Sequence, residues 1–325
     1  MQFHLDFNPG ISADKIQHQH SVLLIGSCFT EHIEKKLSAA KFNCDSNPFG
    51  IVFNPKSIAI GLIRIIEKNY FTENDLMNTG ESWISLETHT ALSKSSKEEL
   101  LSTLNNLIDQ WHLHLSKSNW LILTFGSAHY YQYNQTGSTV ANCHKLPGQA
   151  FTKKTDDPTQ IETTYTLLLK KLHQLNPSLK VLFTVSPVKH LRDGVIQNNL
   201  SKAILTVSIH TIIRQNKNCF YFPAYELVND DLRDYRFYEP DMAHPNKQAI
   251  EYVWNKFADT YFDKETLTMV DKFNELHSSM NHRPLHIHTK AFTDFKAAQL
   301  KKCLQLQKLY PYVNLENEIS YFSKP

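Results

Sequence analysis

Short, largely apolar runs alternate with amphipathic stretches along the first 260 residues. The apolar runs lie at residues 22 to 25, 120 to 125, 180 to 185 and 219 to 222. Runs of this length are typical of strands buried on both faces of a parallel sheet. Apolar residues recur at helical spacing at residues 29 to 40, 54 to 66, 100 to 115, 161 to 175, 200 to 207 and 250 to 261. This alternation predicts a doubly wound α/β domain, with helices on both faces of a central parallel sheet.

Beyond residue 262 the pattern is purely helical. We therefore expect an α/β domain over residues 1 to 262 and a C-terminal helical extension over residues 263 to 325. Residues 42 to 53 and 127 to 154 show no regular pattern and are predicted to be loops, the second one ordered because it is rich in aromatic residues. Residues 83 to 86 suit a short edge strand.

The first strand runs into a tight turn that carries two potential nucleophiles. Gly26 lets the backbone bend sharply, and Ser27 and Cys28 then stand at the carboxyl end of a strand and the N-terminus of a helix. In open α/β sheets this is where ligands bind. Ser27 and Cys28 could instead have purely structural roles, because serine is a preferred helix N-cap and cysteine is a common small buried residue.

Further candidates follow other strands. Gly126 ends the second strong strand, and Asp241 and His244 lie three residues apart in a tight turn, with Pro245 expected in the first turn of the next helix. Nucleophilic catalysis needs a hydroxyl or thiol, an imidazole to take its proton, a carboxylate to orient the imidazole and donors for the oxyanion. The sequence thus supplies candidates for each part.

Composition excludes several classes of partner. The 325 residues carry 34 Lys and Arg against 32 Asp and Glu, a net charge of +2 without a polybasic tract. We therefore expect neither nucleic acid nor an anionic membrane as the main partner. No basic segment followed by an apolar one opens the sequence, and the five cysteines are scattered, which favours a cytoplasmic protein in a reducing compartment. The sequence carries no signal for the oligomeric state.

A metal site is an alternative, because the chain has 17 histidines. His286 and His288 could present two imidazoles on one side of an extended segment. His112 and His114 lie two apart in a helical pattern, where side chains do not face together. No Cys-x-x-Cys or His-Glu-x-x-His spacing occurs, so we expect neither a metal nor a cofactor.

The turn after the first strand resembles a known family signature. Gly26-Ser27-Cys28-Phe29 is similar to the signature of the GSCFA proteins, bacterial relatives of the SGNH (GDSL-type) hydrolases. Further similar segments lie at residues 140 to 145, 186 to 190 and 233 to 245, so the resemblance covers about residues 20 to 260. It implies a flavodoxin-like three-layer α/β/α domain. It also places Asp241 and His244 on the Asp-x-x-His pair of the hydrolases, with His244 as base and Asp241 as its orienting acid.

The sequence departs from the hydrolase pattern in two places. A gap-free match to Gly-Asp-Ser-Leu puts Ser27 at the aspartate and Cys28 at the nucleophile, so both stay candidates. Where the hydrolases have Gly-x-Asn-Asp, this chain has Gly126 without the asparagine. Asn142 could supply the missing oxyanion donor or hold its own loop by backbone hydrogen bonds. His190, after the third strong strand, could bind substrate or belong to a solvated loop.

These features favour an esterase-like hydrolase or acyltransferase that acts on a small acyl ester or thioester through a covalent acyl-enzyme. We favour Cys28 over Ser27 as nucleophile because of the gap-free register, the helix N-terminus and the nearby imidazole. The alternative is a non-catalytic binding or scaffold protein on the same fold, since a fold does not establish a function.

Overall fold

The structure is a computed structural model that describes residue 5, residues 7 to 281 and residues 289 to 324. Its strands are β1 (Ser21–Gly26), β2 (Asn43–Ser46), β3 (Met77–Asn78), β4 (Trp83–Ile84), β5 (Trp120–Phe125), β6 (His129–Tyr133), β7 (Thr139–Val140), β8 (Phe151–Thr155), β9 (Lys180–Val185) and β10 (Cys219–Phe222). Its helices are α1 (Cys28–Ala39), α2 (Pro55–Ile66), α3 (Lys97–Lys117), α4 (Pro158–Leu175), α5 (Gly194–Gln215), α6 (Ala224–Glu226), α7 (Lys247–Tyr261), α8 (Lys264–Met280), α9 (Lys290–Leu309) and α10 (Glu316–Ser323).

The central sheet has the strand order β10-β9-β5-β1-β2, and every neighbouring pair is parallel. When its five strands are counted along the chain, this is the flavodoxin-like order 2-1-3-4-5. The four predicted strands are parallel neighbours, and helices cover both faces. The predicted three-layer α/β/α fold is therefore confirmed.

Alternate side chains of the central strands enter two cores. Leu23 of β1 and Leu121 of β5 point into a core shared with α2, α3, α4 and α5. Val22 and Trp120 point to the opposite face, where α1 and α7 pack. Since side chains of a strand alternate between the two faces, a strand covered on both sides must be apolar throughout. This explains why these strands read as continuous apolar runs.

The C-terminal helices build a third core of their own. Met269, Phe273 and Leu276 of α8 pack against Cys303 and Leu306 of α9. The helix α10 contributes Phe322. The helical pattern predicted beyond residue 262 is therefore observed. None of the helices that the structure describes is long and apolar enough to cross a membrane.

Two predicted loops contain strands. The segment at residues 42 to 53 includes β2, an edge strand of the central sheet. Its residues Asn43, Cys44, Asp45 and Ser46 are half-buried or exposed, so no apolar run marked it. The segment at residues 127 to 154 was also predicted wrongly, because β7, β6 and β8 form a three-stranded antiparallel sheet there.

Two local predictions need smaller corrections. The expected edge strand at residues 83 to 86 is β4, which pairs with β3 in a separate two-stranded sheet. Pro245 lies before α7 and forms a bridge with Tyr238. The N-cap is Asn246, whose side chain accepts from the backbone N–H groups of Gln248 and Ala249. An asparagine can satisfy the free N–H groups of a helix start, whereas proline has no side-chain acceptor.

Candidate active site

The turn after β1 has the sharp bend that the sequence predicts. Gly26 has φ +153°, and a Cβ at this position would lie 2.3 Å from the carbonyl oxygen of Thr124 in β5. The backbone N–H of Gly26 donates to Asn47 Oδ1 at 2.9 Å, and that of Ser27 donates to the Thr124 carbonyl at 3.2 Å. The turn is therefore fixed from two sides, and only glycine fits it.

Ser27 holds the N-cap position of α1, but its side chain makes no capping hydrogen bond. The residue is 2% exposed, and its Oγ is buried without a hydrogen-bond partner among the residues that the structure describes. A buried hydroxyl is usually hydrogen-bonded, so this one needs an explanation other than capping.

Cys28 is the first residue of α1 and is partly exposed. It packs against the core on the α1 and α7 side of the sheet. Burial, and then the charge of Glu31, raise the pKa of the thiol, while the backbone N–H groups of Phe29 and Cys28 and the charge of Lys202 lower it by a smaller amount. The N–H groups at the helix N-terminus thus lower the thiol pKa, as expected. Burial raises this pKa by more, so the thiol is neutral at neutral pH.

Asp241 and His244 form a hydrogen-bonded pair. His244 Nδ1 lies 2.6 Å from Asp241 Oδ2. Asp241 Oδ1 accepts from the backbone N–H of Ala243 at 2.9 Å and of His244 at 3.0 Å. These backbone bonds, and then the imidazole, lower the pKa of Asp241 to about 2. The carboxylate is therefore ionised at neutral pH and accepts a hydrogen bond from Nδ1, which leaves Nε2 as the ring nitrogen that can accept a proton.

The loop that holds this pair is itself anchored. The backbone N–H of Glu239 donates to the carbonyl of His244 at 2.7 Å, and the N–H of Lys189, after β9, donates to the carbonyl of Ala243 at 3.0 Å. Met242 has φ +57°, as a tight turn requires. The loop therefore lies against the carboxyl end of the central sheet, on the same side as the turn after β1.

A groove of about 820 Å³ connects His244 to α1. His32 and His244 both line it, together with Lys35, Lys247 and other residues of α1, α7 and α8. His32 lies four residues after Cys28, so the two side chains share one face of α1, one turn apart. Within the described residues, no hydrogen bond joins His244 to Ser27 or Cys28. The structure thus brings the imidazole beside α1 without bonding it to either nucleophile candidate.

The backbone N–H of Gly126, a candidate oxyanion donor, already has a hydrogen-bond partner. Its N–H donates to the carbonyl of Phe53 at 2.7 Å. A Cβ at this position would lie 2.9 Å from Phe53 Cβ and 3.0 Å from His190 Nε2. The glycine is needed here because Phe53 and His190 approach the backbone closely.

His190 stacks against Phe53, with ring centroids 4.9 Å apart. Its Nε2 is buried and has no hydrogen-bond partner within the described part of the chain. Burial, and then the charge of Lys202, lower the pKa of His190 to about 3. The imidazole is therefore neutral and faces the loop after β5, so its predicted contact with substrate stays a prediction.

Asn142 holds its own loop, the second of the two roles left open by the sequence. Its Oδ1 accepts from the backbone N–H of His144 at 2.7 Å and from Thr90 Oγ1 at 3.3 Å. Its own N–H donates to the carbonyl of Leu86 at 3.3 Å. Thus Asn142 joins the loop after β7 to the segment that follows β4.

Sequence analysis missed a row of buried polar residues on α5. Lys202 is 1% exposed, and its Nζ donates to the carbonyl oxygens of Gly126 and Ser186, both at 2.7 Å. Ser201 Oγ accepts from the N–H of Ala128 at 2.8 Å, and Asn198 Oδ1 accepts from the N–H of His190 at 2.9 Å. This row holds the loops that follow β5 and β9. Polar residues at helical spacing on the apolar face of α5 were the available signal.

The described residues contain no group of three or more His, Cys, Asp or Glu side chains that could hold a metal ion. His112 Nδ1 contacts the carbonyl of Ile65 at 3.0 Å, and His114 Nδ1 lies 3.3 Å from Asp45 Oδ2. The predicted alternative at His286 and His288 lies outside the described residues.

Comparison with known proteins gives distant structural similarities. The chain is similar to a carbohydrate esterase of family 3 from Talaromyces cellulolyticus, with a TM-score of 0.37 and 10% identity over 78% of this chain and 99% of that chain. It is also similar to an acetyl xylan esterase from the rumen bacterium Butyrivibrio proteoclasticus, with a TM-score of 0.38 and 9% identity over 74% of this chain and 63% of that one. No curated protein matches the sequence.

Family models give a direct match. A model described as the GSCFA family matches residues 21 to 257, which contain the central sheet, the turn after β1 and the pair of Asp241 and His244. A second model, described as the C-terminal domain of GSCFA domain proteins, matches residues 273 to 324. The chain therefore belongs to the GSCFA family.

Proposed function

We propose that this protein hydrolyses or transfers the acyl group of a small ester or thioester through a covalent acyl-enzyme. In this proposal Cys28 is the nucleophile, His244 the general base and Asp241 the acid that orients His244. The observation that carries it is the pair itself. An ionised Asp241 accepts from His244 Nδ1 and so directs Nε2 to the role of base, in a groove that α1 also lines.

The first step forms the acyl-enzyme. The neutral Cys28 thiol gives its proton to His244 Nε2 as Sγ attacks the carbonyl carbon, and the C–S bond forms. The imidazolium, stabilised by the Asp241 carboxylate, then protonates the leaving oxygen or sulfur as the acyl bond breaks. A raised thiol pKa makes such a base necessary, because little thiolate is present beforehand.

The second step releases the acyl group. Water, or an acceptor alcohol or thiol, gives its proton to His244 Nε2 and attacks the thioester, and the proton then returns to Cys28 Sγ. The product is the free acid or the transferred acyl group. Catalytic hydrogen bonds are often long in unliganded enzymes and tighten with substrate, so the missing bond between His244 and Cys28 is compatible with this role.

Exposure favours Cys28 over Ser27. The hydroxyl of Ser27 has no exposed surface, whereas Cys28 is partly exposed and shares a helix face with His32, which lines the groove. Ser27 is then a buried residue of the turn. It is the alternative nucleophile if the turn rearranges on substrate binding.

Labelling of the native protein tests this assignment. Iodoacetamide at neutral pH should alkylate Cys28, and the variant Cys28→Ala should lose both this label and hydrolysis of a small activated ester, while Ser27→Ala keeps the label. If Cys28 resists alkylation and Ser27→Ala alone abolishes labelling by a fluorophosphonate, Ser27 is the nucleophile and the assignment is wrong.

A non-catalytic binding or scaffold function is the second candidate. The observation in its favour is that neither predicted oxyanion donor is free, because the Gly126 N–H donates to Phe53 and Asn142 holds its own loop. Acyl-enzyme detection by intact mass after brief reaction with an activated ester separates the two functions. A mass increase that requires Cys28 supports the enzyme, and its absence with folded protein supports the scaffold.

A further inference from the structure

The groove beside His244 is walled by α1, α7 and α8. Polar side chains that line it are Lys35 of α1, Lys247 at the start of α7, and Asn274 and Ser278 of α8. The two residues of α8 lie four positions apart, so they share one face of that helix. Because α8 belongs to the C-terminal helical extension, the extension forms one wall of the groove.

The charged side chains of the groove do not balance. Lys36 and Glu251 form an ion pair that joins α1 to α7. Lys35 and Lys247 form no ion pair with any residue that the structure describes, and within the same residues the carboxylate of Glu239 is also unpaired. Two unpaired ammonium groups thus face one unpaired carboxylate, and the unpaired charge of the groove is positive.

The environment of His32, which also lines the groove, agrees with this sign. Burial, and then the charge of Lys35, lower the pKa of the imidazole, whereas the charges of Glu31 and Glu239 raise it. The charge of Lys35 has a larger effect on the ring than that of either carboxylate. The N-terminus of α7 adds the positive end of a helix dipole next to Lys247. The groove therefore favours a negatively charged ligand.

The wall formed by α8 offers neutral donors. The side chains of Asn274 and Ser278 line the groove, and neither forms a hydrogen bond within the described part of the chain. An amide N–H and a hydroxyl can both donate to an anionic oxygen. Two cations and two neutral donors from three helices thus converge on one groove, as in ligand sites where a few polar groups fix the ligand.

The helix α1 also relates this groove to the candidate nucleophile. Lys35 follows Cys28 by seven residues, which is about 10 Å along the helix axis. His32 lies between them, and residues at this spacing share one helix face. A substrate whose acyl carbon lies at Cys28 can therefore reach Lys35 with a group about two helical turns away.

We propose that the groove between α1, α7 and α8 binds a carboxylate or phosphate group of the substrate, about 10 Å from the acyl carbon that reacts. The inference rests on the proposed roles of Cys28 and His244. It narrows the substrate to an acyl ester or thioester that also carries a negative charge. The two lysines bind this group by charge and the two side chains of α8 by hydrogen bonds, so the C-terminal helical extension is part of the substrate site.

The test compares 4-nitrophenyl esters of equal acyl-chain length that end in a carboxylate, a phosphate or an uncharged methyl ester. The readout is the ratio of kcat/KM for a charged ester to that for the uncharged one. This ratio should be about fivefold to twentyfold in the wild type and should fall about twofold to fivefold in each of Lys35→Gln and Lys247→Gln, mainly through KM. Added salt should also lower it, because the groove is open to solvent.

Two further variants separate charge from structure. Lys264→Gln is the matched control, because Lys264 is the first residue of α8, as Lys247 is of α7, but does not line the groove. It should keep the wild-type ratio, and Lys35→Arg should keep most of it because the charge remains. No preference of the wild type for charged esters, or an equal loss on charged and uncharged esters in Lys35→Gln and Lys247→Gln, overturns the proposal. The charged ester whose ratio falls further identifies the natural group as a carboxylate or a phosphate.

Binding without turnover distinguishes this inference from the proposed function. The Cys28→Ala protein lacks the proposed nucleophile, but the diacid released from the carboxylate ester should still bind it and shift the backbone ¹H–¹⁵N signals of α1, α7 and α8. Adding Lys35→Gln to this protein should weaken the binding. Such binding without ester turnover by the wild type upholds the groove and refutes the proposed function. Turnover that requires Cys28 but shows no preference for charged esters does the reverse.

Discussion

The turn after β1 and the pair of Asp241 and His244 are built in opposite ways. The turn is buried and held by residues far away in the chain, Asn47 and Thr124, and the described residues offer no hydrogen-bond partner to its Ser27 hydroxyl. The pair is half-exposed and held by hydrogen bonds within four residues. Hydrogen bonds within residues 241 to 244 therefore fix the orientation of the His244 ring. By contrast, contacts with distant parts of the chain decide whether Ser27 or Cys28 is exposed to solvent.

The largest expected effect comes from breaking the pair. In Asp241→Asn the amide can donate to Nδ1 of His244, which moves the ring proton to Nε2 and removes the base. We expect a loss of about 10²–10⁴-fold in kcat on an activated ester, with an unchanged denaturation midpoint.

The matched control is Asp259→Asn, an exposed aspartate on α7. It should keep full activity. Equal activity of Asp241→Asn and the wild type would show that the pair takes no part in the reaction.

Gly26→Ala probes the buried turn. The new Cβ would lie 2.3 Å from the Thr124 carbonyl, at a backbone φ of +153°. We expect a loss of about 2–4 kcal/mol in the free energy of unfolding, measured in urea, because the strand ends must separate.

Gly148→Ala is the control for this change, since a Cβ there meets no atom within 4 Å and needs no positive φ. It should change the free energy of unfolding by roughly 0.5 kcal/mol or less. A Gly26→Ala protein as stable as Gly148→Ala would contradict the constrained turn.

Asn47→Gly removes the acceptor of the Gly26 N–H. Asn47 has φ +48°, which glycine adopts without strain, so the change removes the 2.9 Å hydrogen bond without adding backbone strain. We expect a loss of about 1–2 kcal/mol in the free energy of unfolding. Asn47→Asp keeps an acceptor oxygen and should lose less, and the reverse order would rule out this hydrogen bond as the cause.

The smallest effect is the acid titration of Asp241. Its pKa of about 2 lies below the unfolded value, so the carboxylate contributes stability above roughly pH 4, and this contribution is lost as the pH falls toward 2. Because the Asp241 carboxylate is exposed, its protonation changes the free energy of unfolding only slightly. The carboxyl ¹³C shift of Asp241 should therefore titrate near pH 2.

The same titration in His244→Gln sharpens the comparison. The backbone N–H groups of Ala243 and His244 lower the pKa more than the imidazole does, so only part of the shift should disappear. A full return to the ordinary value would show that the ring, and not the local backbone, holds the carboxylate.

Much of the fold was predictable because buried strands and helix faces need apolar residues, and these residues form recognisable patterns in the sequence. β5 and β9 lie where the apolar runs place them, since strands covered on both faces must be apolar throughout. β2 and the sheet of β6, β7 and β8 were missed. Their residues are largely half-buried or exposed, so pairing with neighbours rather than apolar composition makes them strands.

The candidate site was predictable only in its local parts. Asp241 and His244 lie three residues apart, and that spacing already allows the bond between them. The roles of Gly126 and Asn142 were not predictable, because each depends on a partner distant in the chain, Phe53 for the one and Thr90 for the other.

The sequence by itself therefore determined the strand and helix alternation, the bend at Gly26 and the pair of Asp241 and His244. Each depends on residue type and short spacing. The tertiary structure decided that Ser27 is buried, that Cys28 is partly exposed and neutral, and that Lys202 holds the segments that follow β5 and β9. Solvent exposure and the pKa of a side chain depend on everything packed around it, and most of those groups come from elsewhere in the chain.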